Sequence, residues 1–112
     1  MINITNEQIS QSFGMIFQKY RLKNKLTQEK LAEELQKSTK TISQVETGKD
    51  GTSKKTDIYL MNFLGICPNT LYKEFITNPY LKKQIEISEK INDLSENEID
   101  ALSKIIDVLK NM

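Results

Sequence analysis

From Thr27 to Lys49 the chain reads TQEKLAEELQKSTKTISQVETGK. Inside this stretch Thr39, Lys40, Ser43, Gln44 and Thr47 set hydroxyls, one amide and one ammonium close together. Such groups do not make or break covalent bonds without an activating partner. They do match the edges of base pairs. An ammonium can bond guanine O6 or N7, an amide can pair with adenine, and a threonine methyl can meet the thymine methyl.

That chemistry needs a scaffold that presents the five groups together. Leu31, Ala32 and Leu35 follow Thr27 at helical spacing, the pattern stalls at Gln36-Lys37-Ser38, and it resumes with Ile42 and Val45. On a helix advancing about 100° per residue, Ile42 and Val45 centre an apolar side. Lys40, Gln44 and Thr47 lie nearly opposite, Ser43 flanks them, and Thr39 sits at the N-terminal end. Thr27 and Ser38 are capping residues for helices expected over 28–36 and 39–47. Gly48 suits the end of the second, where φ > 0 is wanted. Two short helices joined by a tight turn, the second polar outward and flanked by basic loops, describe a helix-turn-helix.

The rest of the chain also reads as helices. Ile9, Phe13, Ile16, Phe17 and Tyr20 mark a first helix that starts between 6 and 12 and runs to about 23. The polar run 49–55 is expected as a loop. A fourth helix is expected over 56–64, with Gly65 as its stop. A fifth opens at Pro68 and a sixth at Pro79, because proline at the first helical position loses no needed N–H. Cys67 stands at the capping position before Pro68 and is expected to be a small, partly buried residue there. Ser95 and Glu98 form a capping box, stapled by Leu94 and Ile99, that starts a seventh helix running to about 111.

Composition narrows the function. The 112 residues allow one compact unit with an appendage, and two prolines and four glycines favour helices. The net charge of +1 is unevenly spread. Residues 19–55 hold ten basic and five acidic side chains, whereas 56–112 hold six basic and nine acidic. A basic segment implies an anionic partner, and the acidic one a different task. The chain has no histidine and one cysteine, which excludes a Cys/His metal cluster, an internal disulfide and histidine acid/base catalysis. With no phosphate-cradling glycine loop and no clustered carboxylates either, an enzyme, a catalytic residue, a metal site or a cofactor is not expected. MINITNEQ lacks the features of a secretory signal, and the apolar-rich stretch IYLMNFLGIC is too short for a bilayer. The expected location is cytoplasmic, with no membrane partner.

LTQEKLAEELQKSTKTISQVETGK resembles the helix-turn-helix of the Cro and phage-repressor family, the XRE-type regulators. The matching positions are Thr27, Gln28, Leu31, Ala32, Leu35, Ser38, Thr41, Ile42, Ser43, Val45, Glu46 and Gly48, and the likeness extends over about 12–76. It implies an all-α fold: a five-helix, lambda-repressor-like DNA-binding domain over 1–76. A C-terminal two-helix hairpin, 77–112, would follow. By the same resemblance Arg21 and Glu46 form a structural ion pair, and Thr39, Lys40, Ser43 and Gln44 face the bases of double-stranded DNA. Gln28, Lys49, Lys54 and Lys55 would meet backbone phosphates. Two departures stand out. Gln36 occupies the turn position where the family usually has glycine, and Lys37 one where it has an apolar residue.

The hairpin lies outside the resemblance. Ile99, Leu102, Ile106 and Leu109 recur at 3-4-3 spacing, and Ile105, Val108 and Met112 widen the stripe beyond what one partner helix covers. Ile99, Leu102, Ile105, Ile106 and Leu109 are therefore expected to join two copies in a two-fold homodimer. The expected function is a dimeric transcriptional regulator, a repressor on a palindromic operator. The alternative is an antitoxin whose C-terminal hairpin also binds a protein partner. A module that has lost DNA binding fits poorly with the basic residues around the reading helix.

Overall fold

The computed structural model describes residues 3–112. They form seven α-helices and one 3₁₀ turn, with no strand among the described residues. The order is α1 (Asn6–Lys23), α2 (Gln28–Leu35), α3 (Thr39–Glu46), α4 (Lys54–Leu64), α5 (Pro68–Tyr72) with a 3₁₀ turn (Lys73–Phe75), α6 (Pro79–Ile91) and α7 (Glu96–Lys110). One compact unit extends to Phe75 and the other is Ile76–Met112.

The helices of the first unit start on hydroxyl caps. Thr5, Thr27, Ser38 and Ser53 each accept the backbone N–H three residues on, at 3.1, 3.0, 3.1 and 3.2 Å. A cap of this kind stabilises a helix by about 1 kcal/mol. Thr5 and Gln8 complete a capping box, which sets the start of α1 at Asn6. Ser53 has a consequence for the interface. It begins α4 at Lys54, so the loop expected over 49–55 stops short, and Lys54 and Lys55 belong to a helix. Cys67 occupies the cap position of α5 but makes no side-chain cap bond, and it is half-buried.

The first four helices end alike. Lys25, Gln36, Gly48 and Gly65 all have positive φ, between 54° and 78°. After each, the next N–H returns to a carbonyl five residues back: Leu26 to Arg21, Lys37 to Ala32, Lys49 to Gln44 and Ile66 to Met61. These left-handed stops turn the chain sharply enough for four short helices to enclose one core. Phe13 and Phe17 of α1 meet edge to face there, 6.3 Å between centroids. Around them are buried Leu31 and Ala32 of α2, Ile42 and Val45 of α3, and Leu60 and Leu64 of α4, with Ile66 and Leu71 closing the end. Gly14 allows α1 to lie against the last turn of α3. A Cβ at that position would sit 2.2 Å from the Val45 carbonyl oxygen.

In the second unit, Asn78 caps α6 through Tyr80 and Leu81 N–H, and Ser95 with Glu98 caps α7 as a box. Neither helix contains a buried residue.

Gln36 stands at φ 54° and ψ 44°, a conformation that is unfavourable for a side chain bearing Cβ. Gln36→Gly is expected to stabilise the domain by about 1 kcal/mol and raise Tm by roughly 4–8 °C in a thermal melt. An unchanged or lower Tm would show that the turn carries no such strain.

Candidate nucleic-acid interface

α3 is anchored by its apolar side. Ile42 and Val45 are buried against α1 and α2, and Ser38 fixes the first turn. The opposite side is open. Thr39, Lys40 and Thr47 are exposed, and Ser43 and Gln44 are half-buried. Gln44 is less open than its place on the helix implied, because the following loop folds back beside it. The N–H groups of Lys49 and Asp50 both reach the Gln44 carbonyl, at 2.9 and 3.3 Å.

The polar side chains of α3 divide into two sets. Ser38 and Thr41 share a hydroxyl contact of 2.9 Å, and Thr47 donates to the carbonyls of Ser43 and Gln44. Those three are satisfied within the chain. Among the described residues, Thr39, Lys40, Ser43 and Gln44 make no side-chain hydrogen bond or ion pair. The structure therefore leaves four adjacent polar side chains with unused donors and acceptors, four of the five whose chemistry suits base edges; the fifth, Thr47, is engaged.

What holds α3 at this angle is a buried ion pair. Arg21 Nε donates to Glu46 Oε2 at 2.6 Å and Nη2 donates to Oε1 at 3.1 Å. Nη1 donates to the Leu26 carbonyl at 2.7 Å, which ties down the turn between α1 and α2. Gln28 Nε2, at the start of α2, donates to Glu46 Oε1 at 2.9 Å. One carboxylate thus links α1, α2 and α3, and no buried side-chain N or O among the described residues lacks a partner. The pairing of Arg21 with Glu46 follows the expectation. The Gln28 contribution was not foreseen: its amide serves the ion pair in this structure.

Lys49 is exposed in the loop, and Lys54 and Lys55 are exposed in the first turn of α4. None of the three has a carboxylate partner among the described residues. Between them lies a contact that the sequence reading missed. Thr52 in the loop donates through its hydroxyl to Asp57, which is buried in α4. The spacing of Asp57, Leu60 and Leu64 puts the carboxylate on the apolar side of α4, so its burial was legible. Burial pushes the Asp57 carboxyl above its ordinary value, and the Thr52 hydroxyl offsets part of that rise.

A family model described as Helix-turn-helix matches residues 17–66, from the middle of α1 to the second residue after α4. Residues 17–66 are thus similar to a Cro/repressor-type helix-turn-helix. α2 and α3 lie inside the matched segment as its paired helices, and the match supports a DNA-binding transcriptional regulator. No curated protein and no solved structure matches the chain. Among the described residues no helix is long and apolar enough to cross a membrane.

Two outcomes test the supports of α3. Arg21→Met strands a buried carboxylate and is expected to cost about 3–5 kcal/mol in urea denaturation, whereas adding Glu46→Leu recovers much of the loss. Asp57 binds its proton more tightly folded than unfolded, so its penalty is absent below the unfolded pKa and complete above the raised folded one. Its contribution to stability therefore falls as pH rises through that window. Asp57→Asn is expected to raise stability at neutral pH and to flatten this part of the stability–pH curve.

Proposed function

We propose that the protein binds a palindromic operator as a homodimer and represses transcription by occupying it. Each copy would lay α3 in a major groove, with Thr39, Lys40, Ser43 and Gln44 toward base edges. The observation that carries this reading is the division of the polar side chains on α3. The outward four are unpartnered among the described residues, while Ser38, Thr41 and Thr47 are engaged within the chain.

Lys49, Lys54 and Lys55 would follow the phosphate backbone. Their placement supports this. Two lysines at the N-terminal end of α4 oppose the helix dipole, an unfavourable arrangement in isolation. A phosphate in front of them reverses the sign of that interaction. At the start of α2 the free backbone N–H groups, rather than the engaged amide of Gln28, are the groups suited to a second phosphate.

One helix-turn-helix reads few base pairs, so a second copy supplies the other half-site, about one helical turn away. The exposed apolar side chains of α7 are the candidates for joining the copies. Ile105 and Leu109 are 57% and 60% exposed, and Ile99, Leu102 and Ile106 lie beside them at lower exposure. Two reading helices in grooves of the same site exclude competing proteins from it, which is sufficient for repression. The regulator would act in the cytoplasm, on DNA.

Selection from random duplexes tests the reading. Lys40→Ala or Gln44→Ala is expected to relax preference at particular base pairs by roughly 1–3 kcal/mol. Lys54→Ala is expected instead to weaken binding on every sequence and to lower the salt slope by about one. Equal loss on all sequences for Lys40→Ala and Gln44→Ala would remove α3 as the reader.

A further inference from the structure

We propose that α7 pairs with α7 of a second copy in antiparallel register, Ile99 facing Leu109 and Leu102 facing Ile106 in every layer. This rests on the homodimer reading and specifies its geometry. The second unit, Ile76–Met112, spans 37 residues and buries none of its apolar side chains fully. Units below about 40 residues usually need a disulfide, a metal or a partner chain to stay folded. Cys67 lies outside this unit, and the unit contains no histidine, so it has neither staple. A second copy of the chain can supply that cover.

The 3-4-3 spacing of Ile99, Leu102, Ile106 and Leu109 is that of a coiled-coil seam. It reads the same in both directions, so geometry alone permits either orientation. Charge decides between them. The first five residues of α7 hold Glu96, Glu98 and Asp100 and no base, and its last residue is Lys110. Ser95 N–H donates to the Glu98 carboxylate at 2.9 Å, and this bond, with the Ser95 hydroxyl, holds the Glu98 pKa below its ordinary value. A parallel pair would bring six carboxylates together at one end. An antiparallel pair sets each acidic end against the other copy's lysine end.

The register makes this specific. Glu96, Ser103 and Lys110 are seven residues apart and share one edge of the seam. With Ile99 opposite Leu109, Glu96 falls opposite Lys110 of the second copy, twice, and Ser103 meets its own equivalent near the two-fold axis. Neither Glu96 nor Lys110 has an ion-pair partner among the described residues of its own copy. On the other edge Ile105 crosses the axis to meet Ile105, extending the apolar seam. The opposed ends of the two helices also align their dipoles favourably.

Cysteine pairing in the full chain tests the orientation, with Cys67→Ser as background. In an antiparallel seam the two copies of position 99 are ten residues apart, about 15 Å along the axis. That is beyond the roughly 7 Å that a disulfide tolerates between Cα atoms. Ile99→Cys alone should therefore not cross-link, whereas a mixture of Ile99→Cys and Leu109→Cys should, as seen by non-reducing electrophoresis. Self-linking of Ile99→Cys as readily as the mixture would overturn the antiparallel arrangement. Charge exchange at exposed positions provides a second measurement that leaves the apolar seam untouched. Glu96→Lys and Lys110→Glu should each weaken self-association several-fold in sedimentation, and the double variant should restore it; failure to restore it counts against the register. A chain that sediments as a monomer at every concentration refutes the dimer itself, which separates the two failures.

Discussion

The Arg21 guanidinium has three hydrogen-bonding arms in use, and together they determine where α3 points. Two arms grip Glu46 in the last turn of α3. The third holds the Leu26 carbonyl, where the chain leaves α1 for α2. Gln28 adds a contact from α2 to the same carboxylate. Apolar packing alone would tolerate some rolling of an eight-residue helix that rests on Ile42 and Val45. A two-point carboxylate grip is directional and does not. The buried pair contributes little net stability over an apolar replacement, but it defines an orientation. The close approach at Gly14 serves the same end, since α1 lies against the very turn that carries Glu46.

Much of this was legible in the sequence because its signals are local. Thr27 and Ser38 are capping residues followed by apolar periodicity, and α2 and α3 begin at Gln28 and Thr39 as those caps demand. The left-handed Gln36 was legible only as a departure, since a glutamine seldom adopts that conformation. Other features were obscured by competing signals. Ser53 is an ordinary cap, but it lies in a run of lysines and small polar residues that reads as loop, so α4 began two residues early. Lys25 carries no mark of a left-handed residue, and its φ is imposed by the return of Leu26 to Arg21. Gly14 is a single glycine in a helical pattern, and only the distance to Val45 reveals what it accommodates. The amide of Gln28 meets Glu46 across 18 positions of sequence, a contact that no periodicity reports.

The two units follow different physical logics. The first closes on itself: four left-handed stops fold short helices around Phe13 and Phe17, and every buried polar atom described there is bonded. The second is capped as carefully as the first, with a proline start, an asparagine cap and a complete box, yet it buries no residue fully. Well-defined ends on an uncovered apolar stripe belong to helices built to be completed by something else.

The burial of Arg21 and Glu46 has a consequence for how the protein responds to dissolved ions. Counterions screen charges they can approach, and this pair is enclosed at 7% and 5% exposure. Lys40, Lys49, Lys54 and Lys55 stand in open water. A rise in ionic strength would loosen a hold on a polyanion long before it disturbed the architecture. If the protein holds DNA as proposed, added salt would release it from an intact fold, and dilution would restore the hold.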